Sequence, residues 1–150
     1  MLMPSTGGRE PMIVADRLTK RYGHRTVVDG LSFEVWPGRV TGFIGANGAG
    51  KTQTLKMILG LVAPSSGQAT IAGRPLIAHT RPAQAVGAVL DGGASNDGRT
   101  ARAALRISAL LARVPTSRAD ELLASVRLEG DGDRRVGEYS LGMRQRLALA

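Results

Sequence analysis

The fold is decided by one stretch of the chain, residues 40–52, which reads VTGFIGANGAGKT. Its second part, residues 45–52, fits the pattern G-x-x-x-x-G-K-[ST], in which glycines let backbone N–H groups wrap around phosphate oxygens. Residues 40–44 are mostly apolar and predict a strand ahead of this loop. The stretch therefore predicts a strand that leads directly into a phosphate-binding loop.

A helix is predicted to follow the loop, because apolar residues recur at helical spacing over residues 55–62. The positive end of the helix dipole then lies at the loop and favours a bound anion. Lys51 is placed to reach the β- and γ-phosphates of a nucleotide, and the Thr52 hydroxyl is placed to ligate Mg²⁺. The alternative, a glycine-rich turn with an incidental lysine, is disfavoured by the strand and helix on either side.

Strands are predicted in the first part of the chain and helices in the second. The predicted strands lie at residues 12–15, 31–35, 40–44, 69–71 and 86–90, with a basic turn at residues 20–23. Helices are predicted at residues 100–114 and 117–128, and a last helix starts at Ser140.

Side-chain patterns add detail to the first two of these helices. Residues 100–114 present an apolar face and a separate arginine stripe, which is interpreted as a solvated face. Ser117 followed by Asp120 resembles a capping box at the start of the next helix. The apolar face consists of Ala103, Ala104, Ile107, Leu110 and Leu111, and the arginine stripe of Arg99, Arg102, Arg106 and Arg113.

Length and composition exclude several classes of protein. A chain of 150 residues with 43% apolar residues predicts one globular domain with a real core. The absence of cysteine excludes disulfide scaffolds, thiolate zinc sites and cysteine nucleophiles. The longest apolar run, residues 57–63, is far shorter than the about 18 residues of a membrane-spanning helix. With no signal-peptide pattern at the start, these features favour a cytosolic protein.

The chain is basic, with a formal net charge of +8 from 20 basic and 12 acidic residues. Such a charge is compatible with binding to nucleic acid or to an anionic membrane surface. The arginines are scattered along the sequence rather than clustered, which favours a bias in composition. No direct contact with nucleic acid is expected.

Two segments together resemble a known family. Residues 18–76 read LTKRYGHRTVVDGLSFEVWPGRVTGFIGANGAGKTQTLKMILGLVAPSSGQATIAGRPL, and residues 138–146 read EYSLGMRQR. From about residue 12 to residue 150, the chain resembles the ATP-binding subunit of ABC transporters, and the second segment resembles the family's signature motif. The string SLGMRQRL is similar to ATPases of the antibiotic- and multidrug-export type, such as bacitracin-resistance transporters.

The resemblance implies an α/β fold of the P-loop NTPase class. It implies an ABC-type ATPase core, with an N-terminal β subdomain and a parallel-sheet core, joined to an α-helical subdomain. The β and core part with its Walker A loop is expected at about residues 12–97, the helical subdomain at about 98–139, and the signature helix at 140–150. The C-terminal part, with Walker B, the catalytic glutamate and the switch histidine, is expected to be missing.

The resemblance also implies roles for individual residues. Tyr22 matches the aromatic residue that stacks on adenine. Ser140 and Gly142 match signature positions that hold the γ-phosphate of ATP bound to the opposite subunit, although Ser140 also suits a plain helix N-cap. Thr52 and Asp91 are assigned as ligands of Mg²⁺. The full set of nucleotide-binding residues is Tyr22, Gly45, Asn47, Gly48, Ala49, Gly50, Lys51, Thr52, Gln53, Ser140 and Gly142.

Four positions depart from the family's pattern. Ala46 replaces the usual proline of the loop and Gln53 replaces the usual second Ser or Thr, and neither change removes a phosphate donor. Leu141 stands where the signature normally has its first glycine, which affects how closely the backbone approaches a phosphate. Asp91 occupies the place of the Q-loop glutamine. Asp91 also has a competing interpretation, because residues 86–90 form an apolar run that ends in Asp, as in a Walker B strand.

The implied function is that of an ABC transporter ATP-binding subunit. ATP and Mg²⁺ are the expected cofactors, and ATP hydrolysis is coupled to export of drug- or antibiotic-like compounds through a separate permease. The expected partners are that permease and a second copy of the subunit, at the cytoplasmic face of the cell membrane. These 150 residues are expected to bind ATP weakly and not to hydrolyse it, since no base is supplied. The alternatives are a truncated, non-catalytic nucleotide-binding fragment, or a soluble ABC-type ATPase that acts on nucleic acid or ribosomes.

Overall fold

The computed structural model describes residues 10–90 and 97–150 of the chain. The chain divides into two compact units, the first ending at Ala85 and the second beginning at Val86. The first unit contains the sheet and the glycine-rich loop, and the second is helical.

The first unit is built on a three-stranded antiparallel sheet. Its strands are β1 (Ile13–Tyr22), β2 (Arg25–Val35) and β3 (Ser66–Ile71), in the order β2-β1-β3. Ile13 of β1 pairs with Val35 of β2 on one side and with Ile71 of β3 on the other. In β2 the predicted alternation is confirmed, because the side chains at residues 31, 33 and 35 are half-buried and those at 32 and 34 are exposed.

Apolar residues from the sheet and one helix form the core of the first unit. Helix α1 (Lys51–Ile58) follows the glycine-rich loop, as the sequence predicts. Leu18 of β1 and Met57 of α1 are buried in the same cluster. Burial of these side chains stabilises the packing of α1 on the sheet. Helix α2 (Pro82–Ala85), a single turn, closes the unit.

Strand β1 is longer than the sequence predicts. Residues 20–22 were expected in a turn, but they pair with β2, for example Tyr22 with Arg25. Only Gly23 and His24 form the turn, and Gly23 has a φ of 55°. The polar end of β1 is stabilised by backbone pairing rather than by burial, which the apolar pattern does not reveal.

Two predicted strands are not formed. Residues 40–44 and 86–90 carry no strand pairing, and the side chains of Val40 and Ile44 are almost fully exposed. A strand needs a neighbouring strand to accept its backbone hydrogen bonds. Over residues 10–90 and 97–150 the sheet contains antiparallel pairs alone, so the expected parallel part of the core is not seen there.

In its described part, the second unit contains three α-helices, α3 (Ala101–Ala112), α4 (Arg118–Ser125) and α5 (Leu141–Leu149). Short 3₁₀ turns lie between α4 and α5, at Glu129–Asp131 and Val136–Glu138. None of the helices in the described part of the chain has both the length and the apolar character to cross a membrane. The core consists of Ala101, Leu105, Ala119, Leu123, Leu128, Val136, Tyr139 and Leu147.

The buried face of α3 differs from the predicted one. It consists of Ala101, Leu105 and Ala109, whereas Leu110 and Leu111 are 65% and 80% exposed. Arg102 of the predicted solvated stripe instead pairs with two carboxylates of the same unit. The Ala101 side of the helix faces inward and shares a core cluster with Ala119 and Leu123 of α4.

Side-chain caps define the starts of two helices. The Thr100 hydroxyl accepts a hydrogen bond from the N–H of Ala103 at 3.2 Å. Ser140 caps α5 as predicted, and its hydroxyl accepts from the N–H of Met143 at 3.3 Å. The predicted capping box at Ser117 is wrong, because Ser117 has helical backbone angles and makes no side-chain cap. Asp120 pairs with Arg102 instead.

Candidate nucleotide-binding site

The glycine-rich loop contains two residues in the left-handed region of backbone conformation. Gly48 and Gly50 each have a φ of 82°, and Gly50 is the N-cap residue of α1. A residue with a β-carbon is strained there, so these two positions favour glycine. Between them, the N–H of Ala49 donates to the carbonyl of Ala46 at 3.2 Å and closes a turn.

The end of the loop lies against strand β2. A β-carbon built at Gly50 would be 2.5 Å from the carbonyl oxygen of Val27 and 2.8 Å from a methyl carbon of Val28. At Gly48 nothing lies within 4 Å of the same position. Gly48 is therefore required for its backbone angle alone, whereas Gly50 is also required for close contact with the sheet.

Helix α1 begins directly after Gly50. The N–H of Thr54 donates to the Gly50 carbonyl at 2.8 Å, and the buried Thr54 hydroxyl donates to the same oxygen at 3.0 Å. The N–H groups of the first helical residues precede this bond and have no partner within the helix. The first turn of α1 contains no acidic residue. The turn therefore offers donors and a positive dipole end to an anion.

Lys51 lies at the first position of this helix and folds back over the loop. Its ammonium donates to the carbonyls of Gly45 and Ala46, at 2.7 Å each. A β-carbon at Gly45 would meet only side-chain atoms, at 3.6 Å or more, so Gly45 is not sterically required. The lysine is thus held beside the loop backbone that the pattern assigns to phosphate binding.

The other loop residues named from the sequence differ in exposure. The side chains of Asn47, Ala49 and Thr52 are exposed. Gln53 is half-buried, and its Nε2 is shielded from solvent without a hydrogen-bond partner. The Thr52 hydroxyl is therefore accessible to a metal ion, while the Gln53 amide has an unused donor beside the loop.

Tyr22 lies at the end of β1, with 51% of its surface exposed. The ammonium of Lys20 lies 5.0 Å from the centre of its ring, within the range of a cation–π interaction. Lys20 also donates to the carbonyl of Ala63 at 2.6 Å. The ring thus contacts Lys20 and is still half-exposed, which leaves surface for stacking.

The signature residues lie at the start of α5, in the second unit. Ser140 and Gly142 are exposed, and nothing lies within 4 Å of the position that a β-carbon would take at Gly142. Leu141, between them, is 74% exposed. The segment presents a hydroxyl and first-turn N–H groups to solvent, with one apolar side chain beside them.

The segment just before Ser140, residues 137–139, is held by side chains that the sequence analysis did not single out. Arg144 donates to the carbonyls of Tyr139 and Gly137, at 3.2 and 3.0 Å. The Tyr139 hydroxyl donates to the carbonyl of Asp131 at 2.7 Å. Burial raises the pKa of Tyr139, and the Asp131 carboxylate adds to that shift. One signal was available, because position 144 lies one helical turn after Ser140 and so shares its face of the helix.

An ion-pair cluster fixes the start of α3. Arg102 donates to both carboxylate oxygens of Asp133, at 2.9 and 3.2 Å, and also pairs with Asp120. The hydrogen bond from Arg102 lowers the pKa of the Asp133 carboxyl and raises that of Arg102. The cluster is structural, since it ties α3 to α4 and to the loop before α5.

The structure brings the loop residues together in the first unit and the signature residues together in the second. Asp91, predicted to ligate Mg²⁺, lies outside the described residues. Over residues 10–90 and 97–150, no group of three or more His, Cys, Asp and Glu side chains could hold a metal ion. The Thr52 hydroxyl suits an ion that arrives with phosphate oxygens, because Mg²⁺ is commonly bound by few protein ligands plus phosphates.

A loop with two left-handed glycines, a lysine folded over it and a helix beginning at its end define a phosphate-binding-loop protein of the α/β class. Comparison with known families identifies one family within this class. The family described as "ABC transporter" matches residues 28–150. The chain belongs to this family.

The chain is similar to curated ATP-binding proteins of exporters and other transporters. It is 42% identical over 146 residues to "Nod factor export ATP-binding protein I" of Paraburkholderia xenovorans, covering 94% of this chain and 48% of that protein. It is 39% identical over 135 residues to the bacitracin transport ATP-binding protein of Bacillus licheniformis, covering 89% and 44%. The chain thus spans about half the length of the curated relatives it matches.

Solved structures show the same fold. An ATP-binding subunit of an ABC transporter superposes with a TM-score of 0.78 at 26% identity, covering 92% of this chain and 60% of that one. The cbiO1 protein of Clostridium perfringens superposes with a TM-score of 0.73 at 20% identity, covering 93% and 59%. The α/β, ABC-type fold class predicted from the sequence is confirmed.

Proposed function

We propose that this chain is the nucleotide-binding part of an ABC transporter ATP-binding subunit, and that it binds MgATP at residues 45–52. The observation that carries the proposal is the geometry of this loop. Gly48 and Gly50 adopt the left-handed conformation, and Lys51 lies over the loop. Family membership supports the same assignment.

Each loop residue has a defined task in this proposal. The Lys51 ammonium exchanges its two carbonyl acceptors for oxygens of the β- and γ-phosphates, which are stronger, charged acceptors. Backbone N–H groups at Gly48, Gly50 and Thr52 donate to the phosphates, and the exposed Thr52 hydroxyl ligates Mg²⁺. Tyr22 stacks on adenine, for which its half-exposed ring is suited.

We propose roles for the remaining residues of the site from their exposure and from the sequence resemblance. Gly45, Asn47 and Ala49 shape the loop and line its open side. The Gln53 Nε2 is a donor without a partner, and a phosphate oxygen could accept from it. Asp91 is assigned to the metal through water, as the sequence resemblance implies.

Ser140 and Gly142 are proposed to contact the γ-phosphate of ATP held by a second copy of the subunit. The hydroxyl and first-turn N–H groups at the start of α5 are exposed and suited to an anion. Leu141 adds an apolar side chain where the family has glycine, which restricts how closely a phosphate approaches. The proposed site is therefore shared between two chains.

The physiological role that we propose is suggested by the relatives rather than by the site. The named relatives act in Nod factor export and bacitracin transport. We propose that the complete subunit powers export of a compound of this kind, through a separate permease, at the cytoplasmic face of the membrane. We propose that these 150 residues alone bind ATP without hydrolysing it, because their sequence offers the phosphate loop but no residue assigned as the base.

The proposal is tested by thermal unfolding in the presence of ATP and Mg²⁺. A ligand that binds the folded chain raises its Tm, and the rise grows with ligand concentration. We expect a rise with MgATP and little effect of adenosine, which lacks phosphates. Lys51→Ala should weaken ATP binding by about tenfold or more, because a charged donor to phosphate is lost.

Lys56→Ala is the matched control, since Lys56 lies in the last turn of the same helix. This variant should respond to ATP as the unaltered chain does. Equal responses of the unaltered chain and Lys51→Ala would overturn the proposal. Phosphate release should not exceed that of Lys51→Ala.

A further inference from the structure

Arg144 holds the backbone immediately before the signature serine. Its Nε donates to the carbonyl of Tyr139 at 3.2 Å, and one Nη donates to the carbonyl of Gly137 at 3.0 Å. The other Nη lies 3.7 Å from a carboxylate oxygen of Asp97. A single half-buried guanidinium therefore contacts three residues around this segment.

The same segment is held from its other side. The N–H of Gly137 donates to the carbonyl of Asp97 at 2.9 Å. A β-carbon at Gly137 would lie 3.0 Å from that oxygen, so the two backbones are in close contact. The position of the segment is thus set by tertiary contacts and not by the α5 helix alone.

The contact with Tyr139 has a directional consequence. The carbonyl of Tyr139 and the N–H of Ser140 belong to one planar peptide unit, and in a trans peptide they point in opposite directions. No peptide bond in the described chain is cis. By binding the carbonyl, Arg144 orients the Ser140 N–H away from itself. It thereby fixes the start of α5, where the Ser140 hydroxyl is already engaged as a cap.

We infer that Arg144 is a positioning residue for the phosphate contact made by Ser140 and Gly142. The inference rests on the proposed function, in which these two residues contact ATP held by a second copy. Arg144 does not itself touch the nucleotide. It keeps the hydroxyl and N–H groups at the start of α5 in one arrangement, so that no ordering is needed when the two copies associate.

Arg146 provides a matched comparison on the same helix. One of its Nη atoms donates to the carbonyls of Val126 and Arg127, at 3.2 and 2.9 Å. Both arginines thus donate two hydrogen bonds to backbone carbonyls, but the acceptors of Arg146 lie just after α4, whereas those of Arg144 lie just before Ser140. A purely structural role predicts similar behaviour for Arg144→Ala and Arg146→Ala.

The test measures MgATP-dependent association of two copies by sedimentation velocity, with ATP binding measured separately. Arg144→Ala should weaken association by about tenfold, since two hydrogen bonds from a charged donor are lost, while ATP binding stays within about twofold. Arg146→Ala should associate as the unaltered chain does. Arg144→Lys should be intermediate, because an ammonium reaches one carbonyl but lacks the planar fork.

A mixing experiment separates positioning from loss of the fold. Arg144→Ala keeps its own loop, and Lys51→Ala keeps its signature segment, so a mixture of the two has one complete site. ATP-dependent association should be stronger in the mixture than in either variant alone. If Arg144→Ala associates like the unaltered chain, or loses ATP binding as well, the inference is overturned. If the unaltered chain neither binds ATP nor associates with it, the proposed function fails and the inference fails with it.

Discussion

Gly50 packs closely against the carbonyl group of Val27. A β-carbon at Gly50 would be 2.5 Å from that oxygen, well inside van der Waals contact. Gly50, the loop residue that precedes helix α1, therefore packs against strand β2. The position of the loop, and of the helix that starts there, is set by the antiparallel sheet of the first unit.

Replacing the two left-handed glycines by alanine should have unequal effects. Gly48→Ala costs about 1 kcal/mol of stability, since only the backbone angle is strained. Gly50→Ala costs about 2–4 kcal/mol, because overpacking against Val27 is added to the same strain. Denaturant unfolding of both variants measures the difference. Equal losses would show that the contact with β2 is not tight.

Removing three serine or threonine residues at helix starts should separate capping from function. Thr100→Ala and Ser140→Ala each lose a cap, at about 1 kcal/mol, whereas Ser117→Ala should be within about 0.5 kcal/mol of the unaltered chain. Only Ser140→Ala should also weaken ATP-dependent association, since Thr100 lies outside the proposed site. If Thr100→Ala weakens association equally, Ser140 acts only as a cap.

The phenol of Tyr139 should titrate above the usual range. Its pKa is raised by burial and by Asp131, so the folded chain favours the neutral phenol. The Tyr139 phenol contributes fully to the free energy of unfolding below a pH of about 10, which is the pKa of tyrosine in the unfolded chain. This contribution is lost as the pH rises from there through the pKa of Tyr139 in the folded chain. Stability measured against pH should therefore fall in alkali. Tyr139→Phe should reduce this fall, and an unchanged alkaline profile would contradict the assignment.

The carboxyl group of Asp133 should titrate below the usual range. The hydrogen bond from Arg102 lowers its pKa, so its contribution to stability is present above the unfolded pKa of about 3.9 and is lost as the pH falls through the folded pKa. Carboxyl carbon shifts followed by NMR measure this directly. In Arg102→Gln the pKa of Asp133 should return towards about 3.9. A normal value in the unaltered chain would refute the ion pair.

The elements that the sequence predicts well are those defined by local chemistry. The alternation over residues 31–35 and the glycines of the loop determine local backbone geometry, and both are found. Ser140 caps α5 because a serine oxygen at that position accepts from an N–H three residues on. The loop could therefore be located, and the helix after it predicted, from the sequence alone.

The elements that were predicted wrongly depend on distant partners. Val40 and Ile44 are apolar enough for a strand, but apolar character does not supply a pairing neighbour. Asp120 was assigned to a local capping box, yet its carboxylate binds Arg102 of another helix. The contacts of Arg144 with the carbonyls of Gly137 and Tyr139 were missed for the same reason, because helical spacing places Arg144 on the face of Ser140 but does not show which groups it binds.

The central claim is that ATP binds at residues 45–52, and amide NMR shifts locate the bound nucleotide directly. Titration of the labelled chain with MgATP should move the amide signals of Gly48, Gly50 and Thr52 more than those elsewhere. The same titration of Lys51→Ala should leave them nearly unchanged. Shifts confined to other parts of the chain, or no shift at saturating ATP, would contradict the account.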